Sequence, residues 1–450
     1  MAEVAPPAPT VDSNQDAPVL LPEVITEILA RLPAKSVGRF RCVSRAWCAM
    51  LSGDYFVDLH LRRANRPDHP RLLLTAVGSD YDDHLHSWRL GGAVEKLMAD
   101  DFSDGIIVPV TKPCRGLVLV RGTGNAGYFV CNPSTGDVLA LPDTEGSMKM
   151  TSRHKLFQPH PPPFFSEVSY GLGYCTMRKE FKVVRLFCDH EFETGIAQST
   201  NCEVFILDRA AYWRPTAEQP PLQRVEEKKP AVFLNGYLHF LCHGGIITFS
   251  ISGETFGSLP PPSAFKDAAS AMIELDRCLS LCYGKPDTED LYHVLVLRDY
   301  KEARWETLCC IDRTTWPESE RMLLDSLWMA PLGIYHSDGG QKIMFGTGAC
   351  KVFAVDVDGN APQILFTPDD TIIGSCEDDN IPALGLYEES LVPVGRSLEE
   401  IISSSPTAEA WFDILKWLPA RSVLELSLVC REWRAMIMTD HFIHMLFMQT

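Results

Sequence analysis

The chain has 450 residues, of which 46% are hydrophobic and 22% charged, and its formal net charge at pH 7 is −18. This length and composition are typical of a globular protein with more than one domain. The acidic charge argues against a nucleic-acid-binding protein and against docking on anionic membranes, because both interactions require a basic surface.

The first segment, residues 1–17, is rich in alanine and proline, and we predict a disordered tail. It lacks the basic start and apolar centre of a signal peptide. No window approaches the roughly 18 consecutive apolar residues of a membrane-spanning helix. We therefore expect a cytoplasmic or nuclear protein whose 15 cysteines are reduced and mostly buried.

Residues 18–62 are predicted to form three short helices. Pro22 suits the first turn of the first helix, Pro33 is expected to end it, and Ser36 is expected to cap the second. So small a module buries little surface, so it should depend on a partner or a neighbouring domain. The first helix carries its apolar residues on one predicted face, and a second apolar stripe follows it: Val24, Ile25, Ile28, Leu29 and Leu32, then Val37, Phe40, Val43 and Trp47.

Between residues 70 and 390 the pattern changes to short apolar runs separated by glycine, proline, aspartate and asparagine. Runs such as 72–77 and 183–187 have the length and the β-branched content of strands. Strands with turns every roughly 8–12 residues predict a sandwich, a barrel or a propeller, and about six propeller blades would accommodate this length. The fold class that we predict is therefore α+β multidomain, with a large all-β propeller-like domain.

Two motifs in this region suggest chemistry that we do not expect. The segment Gly122-Thr-Gly-Asn-Ala-Gly127 matches a dinucleotide-binding loop, but a strand follows it where that site needs a helix. His239 and Cys242 would point to opposite faces of a strand, and no second ligand pair has the spacing of a zinc module. No set of nucleophile, base and oxyanion donor can be assembled. We predict no cofactor, no metal site and no enzyme activity.

Residues 391–406 are predicted to be a linker, and residues 407–450 repeat the N-terminal module. Residues 28–61 and 414–447 align without a gap at a constant offset of 386. An ungapped match over 34 residues indicates two copies of one module. The identical pairs include Ile28/Ile414, Leu32/Leu418, Pro33/Pro419, Val43/Val429, Arg45/Arg431 and Trp47/Trp433.

The first copy resembles an F-box, and the region after it resembles the propeller-like F-box-associated domains of plant proteins. The second resemblance rests on phrases such as CNPSTGDVLALP at 131–142 and SYGLGYCTMRKEFKVVRLF at 169–187. The F-box pattern consists of Leu21-Pro22, Ile28-Leu29, Leu32-Pro33, Ser36-Val37, Arg39-Phe40-Arg41, Val43-Ser44 and Arg45-x-Trp47.

This resemblance implies a substrate-recognition subunit of an SCF-type cullin-RING ubiquitin ligase. The F-box would bind a Skp-type adaptor, and through it a cullin, while the β domain would bind a protein substrate that the sequence does not identify. No nucleic acid or membrane partner is implied. The residues expected to bind the adaptor are Leu21, Pro22, Val24, Ile25, Ile28, Leu29, Leu32, Pro33, Val37, Phe40, Val43 and Trp47.

The C-terminal copy departs from the F-box pattern, with Thr407-Ala408 in place of Leu21-Pro22 and Leu426-Ser427 in place of Phe40-Arg41. This copy is expected to bind the adaptor, to pack on the β domain, or to be a degenerate remnant of an F-box. The residues of its apolar face are Ile414, Leu415, Leu418, Pro419, Val423, Leu426, Val429 and Trp433.

Two other interpretations compete with the ligase subunit. A propeller enzyme or lectin with helical ends would need polar residues clustered around a pocket. A non-ligase scaffold or interaction protein would carry F-box copies that bind no adaptor, which the intact pattern from Leu21 to Trp47 disfavours.

Overall fold

The structure is a computed structural model, and all structural statements below concern the residues that it describes. The predicted tail, residues 396–406 of the predicted linker and the whole C-terminal copy lie outside them. The described residues are 21–65, 70–76, 84–98, 107–122, 128–141, 168–190, 197–207, 213–226, 229–262, 270–285, 288–324, 329–337, 340–347, 351–357, 362–367 and 384–395.

The N-terminal module is helical, as predicted, but it contains four helices where the sequence suggested three. Only Gly53, in an extended conformation, separates the last two, so the apolar pattern continues across the break. Pro22 occupies the first turn of the first helix, and Ser44 caps the third by accepting a hydrogen bond from the Trp47 N–H at 3.2 Å. The helices are α1 (Pro22–Leu29), α2 (Ala34–Arg41), α3 (Arg45–Ser52) and α4 (Asp54–Ala64).

In its described residues, the large domain consists of antiparallel strands, a 3-10 helix (Arg313–Thr315) and a short helix, α5 (Glu318–Leu323), which follow the nineteenth strand. The strands are β1 (Arg71–Ala76), β2 (His84–Arg89), β3 (Val94–Met98), β4 (Ile107–Pro109), β5 (Val118–Gly122), β6 (Tyr128–Asn132), β7 (Asp137–Ala140), β8 (Val168–Cys175), β9 (Glu180–His190), β10 (Ala197–Ile206), β11 (Arg214–Pro215), β12 (Val232–Leu234), β13 (Tyr237–Cys242), β14 (Gly245–Ser250), β15 (Phe256–Leu259), β16 (Ser270–Leu275), β17 (Cys278–Lys285), β18 (Thr288–Asp299), β19 (Arg304–Asp312), β20 (Met329–Ser337), β21 (Gly340–Thr347), β22 (Val352–Asp356), β23 (Gln363–Phe366) and β24 (Leu384–Tyr387).

These strands form six four-stranded sheets, which are the blades of a closed propeller. Blades 2 to 6 each use four consecutive strands, from β4–β7 to β20–β23. Blade 1 has the order β24-β1-β2-β3, so its first strand comes from the far end of the domain. The first strand of each blade lies against the neighbouring blades around the whole ring. Closure by β24 leaves β1 without a free edge, which protects the sheet from pairing with other chains.

The core lies between neighbouring blades, and each of the six interfaces has its own apolar cluster. Consecutive residues of a strand point to opposite faces of a blade. Phe240 therefore packs towards blade 3 and Leu241 towards blade 5, while Leu72 and Leu73 divide in the same way between blades 6 and 2. Burial on both faces explains why these strands are continuously apolar in the sequence.

The two chemical motifs of the sequence lie in ordinary propeller elements. Residues 123–127 of the glycine motif lie outside the described residues, but β5 and β6 on either side of them form an antiparallel hairpin. His239 faces blade 5, where its Nδ1 lies 3.1 Å from the Val232 carbonyl oxygen and its Nε2 lies 3.2 Å from the Tyr300 hydroxyl. Cys242 packs on the other side, towards blade 3. Within the described ranges, no group of three histidine, cysteine or acidic side chains is placed to hold a metal ion.

Lys182 is a fully buried cation between blades 3 and 4, and its removal should be costly. Its ammonium donates to the Ile251 carbonyl oxygen at 2.8 Å and to Glu254 Oε1 at 2.7 Å, and it lies 3.5 Å from Glu180. Lys182→Met should lower the free energy of unfolding by about 3–5 kcal/mol, because it leaves the buried Glu180 carboxylate without this cation and takes one of two cationic partners from Glu254. Denaturant titration would measure the change. The exposed Lys301→Met is the control, and a loss below about 1 kcal/mol for Lys182→Met would contradict the argument.

Candidate functional site

The apolar face of α1 and its N-cap residue is broad, and the structure buries one side of it and exposes the other. Leu29 is buried in the core, and Ile25 packs against it. Leu21, Val24 and Ile28 point away from the core and are 66%, 42% and 48% exposed. They recur at the spacing of a single helical stripe. An outward stripe of this kind is free to contact another molecule.

The remaining predicted adaptor-binding residues divide between surface and interior. Val43 is 62% exposed, and Pro22 and Pro33 are also exposed. Val37 is buried with Leu29, so these two side chains support the surface from beneath. The remaining three side chains are half-buried, and two of them form an aromatic pair with ring centroids 5.6 Å apart: Leu32, Phe40 and Trp47.

Exposed apolar side chains are concentrated in this helical module. Five of the twelve large apolar side chains that the described residues expose lie within residues 21–65. Exposed apolar side chains concentrated in one module are typical of an interaction site. The five are Leu21, Val24, Ile28, Val43 and Tyr55.

The other side of the module is bound to the propeller through a segment that follows β24, residues 388–395, which we call the strap. The Ala34 N–H, at the start of α2, donates to Glu389 Oε1 at 2.6 Å. Arg71 pairs with the other carboxylate oxygen at 2.6 Å. The Asn65 side chain accepts a hydrogen bond from the Glu389 N–H at 2.7 Å and donates to the Glu389 carbonyl oxygen at 2.8 Å. Glu389 therefore joins α2, the end of α4 and blade 1.

Two ion pairs attach α4 to blades 2 and 3. Asp58 pairs with Arg115, whose guanidinium also lies over the Tyr174 ring at 4.5 Å. Asp54 pairs with Lys179 at 2.6 Å, and this lysine lowers the pKa of the Asp54 carboxyl. Arg115 and Lys179 lie in the turns between the first and second strands of their blades. The helical module therefore covers the propeller face formed by these turns.

His60 of α4 is fully buried and holds the turn between α1 and α2. Its Nε2 lies 2.9 Å from the Leu32 carbonyl oxygen. A carbonyl only accepts, so Nε2 carries the proton. Burial lowers the pKa of His60, which favours the neutral ring. The neutral form suits this buried position, because a charged imidazolium there would require a further hydrogen-bonding or ionic partner.

An ion pair crosses the propeller axis on the same face. Lys112 follows β4 in blade 2, and its ammonium donates to the Glu274 carbonyl oxygen at 2.5 Å and to Glu274 Oε2 at 3.2 Å. Glu274 belongs to β16 in blade 5, three blades away in either direction around the ring. Burial lowers the pKa of Lys112 and raises the pKa of the neighbouring Glu388. These side chains obstruct the centre of the ring at the end that faces the helical module.

The sequence interpretation missed the strap. Its linker was predicted to begin at residue 391, but Leu391, Val392 and Val394 are buried against the propeller and the helical module. The apolar run 391–394 was the available signal, because solvated linkers seldom contain three apolar residues in four. Nothing in the sequence near Glu389 or Asn65 indicates their contact, since 324 residues separate them.

Comparison with protein families gives three matches along the chain. Residues 20–58 match the F-box domain, and residues 93–325, just over half of the chain, match the F-box associated beta propeller domain. Residues 408–449 match an F-box-like family. The F-box match covers the helices that carry the exposed apolar stripe, and the propeller match covers blades 2 to 5 and part of blade 1.

Individual proteins with similar sequences include F-box proteins of Arabidopsis thaliana. One is 22% identical over 317 residues, covering 66% of this chain and 73% of its own. Another is 30% identical over 235 residues, covering 51% of this chain and 60% of its own. Among solved structures, apo AztD from Citrobacter koseri aligns with 69% of this chain and 84% of its own at a TM-score of 0.36 and 10% identity. No helix in the described part of the chain is long and apolar enough to cross a membrane.

Proposed function

Because this chain belongs to the family of F-box proteins with an associated β-propeller domain, we propose that it is the substrate-recognition subunit of an SCF-type ubiquitin ligase. The F-box binds a Skp-type adaptor, the adaptor links it to a cullin, and the propeller binds a target protein. The chemistry of ubiquitin transfer lies in other subunits. This chain contributes proximity, because it raises the effective concentration of a target lysine near the conjugating enzyme.

The observation that carries this proposal is the two-sided F-box. One side is hydrogen-bonded and ion-paired to the propeller, and the other presents Leu21, Val24 and Ile28 to solvent. Aliphatic side chains at this spacing suit an apolar groove on a partner. A few central apolar residues supply most of the binding energy in interfaces of this type. The adaptor is therefore the expected occupant of the outward stripe.

For the target protein we propose the propeller face opposite the F-box. The F-box, the strap and the Lys112–Glu274 pair occupy the face formed by the turns between first and second strands. On the opposite face, the second strand of each blade connects to the third strand, and the fourth strand connects to the first strand of the next blade. Connections on a rigid scaffold are common recognition sites. If this assignment is correct, substitutions on that face should abolish target binding, and substitutions elsewhere on the propeller should not.

Calorimetry with a Skp-type adaptor tests the proposed function directly. The full chain should bind, and a chain lacking residues 1–62 should lose the high-affinity site. If the full chain binds no Skp-type adaptor, the alternative of a non-ligase scaffold or interaction protein replaces the ligase subunit.

We expect the C-terminal copy to be the weaker adaptor site. The first copy has four exposed aliphatic residues, Leu21, Val24, Ile28 and Val43. Two of them, Leu21 and Val24, correspond to Thr407 and Ala410, so half of these aliphatic side chains are lost. Each truncated apolar contact costs about 1 kcal/mol or more, which predicts an affinity at least about tenfold lower. Deletion of residues 407–450 should leave the high-affinity dissociation constant within about threefold of the full chain's. Two adaptors bound with equal affinity would contradict this expectation.

The C-terminal copy also cannot repeat the first copy's attachment to the propeller. Ala30 is fully buried, and Lys416 stands at the equivalent position. Asp58, which pairs with Arg115, corresponds to His444. A lysine at a buried position without a partner is strongly unfavourable. Packing of the C-terminal copy on the propeller would therefore require contacts different from those of the first copy.

A further inference from the structure

The strap is held on one side by blade 2. The Glu388 carboxylate accepts a hydrogen bond from the Gly116 N–H at 3.0 Å, and the Ser390 N–H donates to Ser134 Oγ at 2.9 Å. The Asn132 side chain donates to the carbonyl oxygens of Ser390 and Val392 at 3.1 and 2.8 Å. These contacts determine the path of the backbone on both sides of Glu389.

The fit between strap and blade 2 is close. Gly116 has a φ of +85°, and a Cβ built there would lie 2.1 Å from the Ser390 Cβ. Only glycine tolerates both this conformation and this approach. The strap therefore lies directly on the turn between the first two strands of blade 2, and its position is determined by the propeller.

On its other side the strap reaches the F-box through Glu389. Helix α2 begins after Pro33 and has no side-chain cap of its own. Its first N–H, that of Ala34, donates to the carboxylate of Glu389. These two residues are 355 positions apart in the sequence. An anionic acceptor at a helix N-terminus is favourable for both hydrogen bonding and the helix dipole. The propeller thus supplies the cap of an F-box helix.

We propose that Glu389 is a positioning residue that locks the F-box to the propeller as one rigid body. This inference rests on the proposed function. The Glu389 side chain is only 8% exposed, and it is bound from two directions by Ala34 and Arg71. Asn65 holds the backbone of the same residue through two further hydrogen bonds. Four contacts on one residue leave little freedom for rotation between the two domains.

The functional consequence concerns the geometry of ubiquitin transfer. A rigid connection places the propeller, and whatever it binds, at one distance and one orientation from the conjugating enzyme. Ubiquitin transfer is then confined to the lysines that this geometry brings to the conjugating enzyme. The reason is that effective concentration depends on how rigidly the F-box and the propeller are joined. A loose connection would spread transfer over more lysines at lower rates. Adaptor affinity itself should change little, because Glu389 lies on the propeller side of the F-box.

The experiment uses the full chain carrying Glu389→Ala, assembled with a Skp-type adaptor, a cullin, a RING subunit and a ubiquitin-conjugating enzyme. Ubiquitin attached to the receptor's own lysines is mapped by mass spectrometry. We expect the wild type to be modified at a restricted set of lysines and the variant at a wider set. Hydrogen exchange of residues 34–41 should be at least about tenfold faster in the variant. The dissociation constant for the adaptor should stay within about threefold.

Two further variants control for general effects. Glu302→Ala removes an exposed glutamate on blade 5 and should leave the modification pattern unchanged. Glu389→Gln keeps an oxygen that can accept from the Ala34 N–H but loses the charge that Arg71 requires. It should therefore restore much of the slow exchange in α2, which a general loss of propeller stability would not allow.

The outcomes separate the two proposals. If the wild type neither binds the adaptor nor supports ubiquitin transfer, the proposed function is wrong. A wild type that transfers ubiquitin, with the same lysine pattern and the same exchange in Glu389→Ala, would overturn the positioning role alone. If Glu389→Ala does not fold, Asn65→Ala tests the same connection from the F-box side, and an unchanged pattern in that variant overturns the inference.

Discussion

Replacing Ile28 with aspartate should abolish binding of a Skp-type adaptor while leaving the protein folded. Ile28 is 48% exposed in the outward stripe of α1, so the substitution places a charge in the apolar interface without disturbing the core. Burying an unpaired carboxylate against apolar side chains is strongly unfavourable. We expect the dissociation constant measured by calorimetry to rise at least about 100-fold.

Ile28 is a sharper probe than Leu32, which is half-buried against the core and would test folding as well as binding. The matched control is Met322→Asp, because Met322 is 73% exposed on α5 of blade 5, away from the F-box. The control should bind with wild-type affinity. An Ile28→Asp variant that binds as tightly as the wild type would show that the outward stripe is not the docking surface.

A chain that ends at residue 383 should fail to fold cooperatively. The truncation removes β24, so β1 keeps only β2 as a neighbour, blade 1 loses its first strand and the ring of six blades opens. It also removes the strap, with the buried Leu391, Val392 and Val394 and the Glu389 cap of α2. Each buried apolar side chain contributes roughly 1.5–3 kcal/mol, so we expect the combined losses to be comparable with the roughly 5–15 kcal/mol that stabilises a typical domain. Thermal unfolding followed by circular dichroism should show no single sharp transition.

A chain that ends at residue 395 is the control for this truncation. It keeps β24 and the strap and loses only the residues after them, so its unfolding transition should resemble that of the full chain. Equal stability of the two truncated chains would mean that neither β24 nor the strap is needed to close the ring.

The sequence predicted the helical character of the N-terminal module and the β-strands of the large domain because these signals are local. The runs at 72–74 and 183–184 are apolar on both faces, which is how propeller strands are buried. The helical pattern from Val24 to Trp47 predicted the N-terminal helical module, and the motifs within it carry the resemblance to the F-box. It did not separate outward Ile28 from buried Leu29, because both belong to one broad apolar face of α1 and only the location of the core divides that face.

The capping of α2 shows where local reasoning ends. Ser36 was expected to cap this helix, but it lies inside α2, and the first N–H bonds to Glu389. A capping side chain next to the start of α2 could have been predicted from the local sequence. The Glu389 carboxylate reaches this N–H only because the six blades close and bring the strap beside α2. The same applies to β24, whose pairing with β1 depends on the chain returning to its starting blade.

The sequence alone therefore determined the order of the modules, the class of each and the family to which the pattern belongs. Periodicity and turn residues are properties of neighbouring residues, and the internal repeat is found by aligning the sequence with itself, so none of them requires knowledge of the fold. The tertiary structure alone decided which side of the F-box is free and which is bound to the propeller. That division depends on contacts between residues more than 300 positions apart, and no local pattern specifies which distant carboxylate will meet which helix.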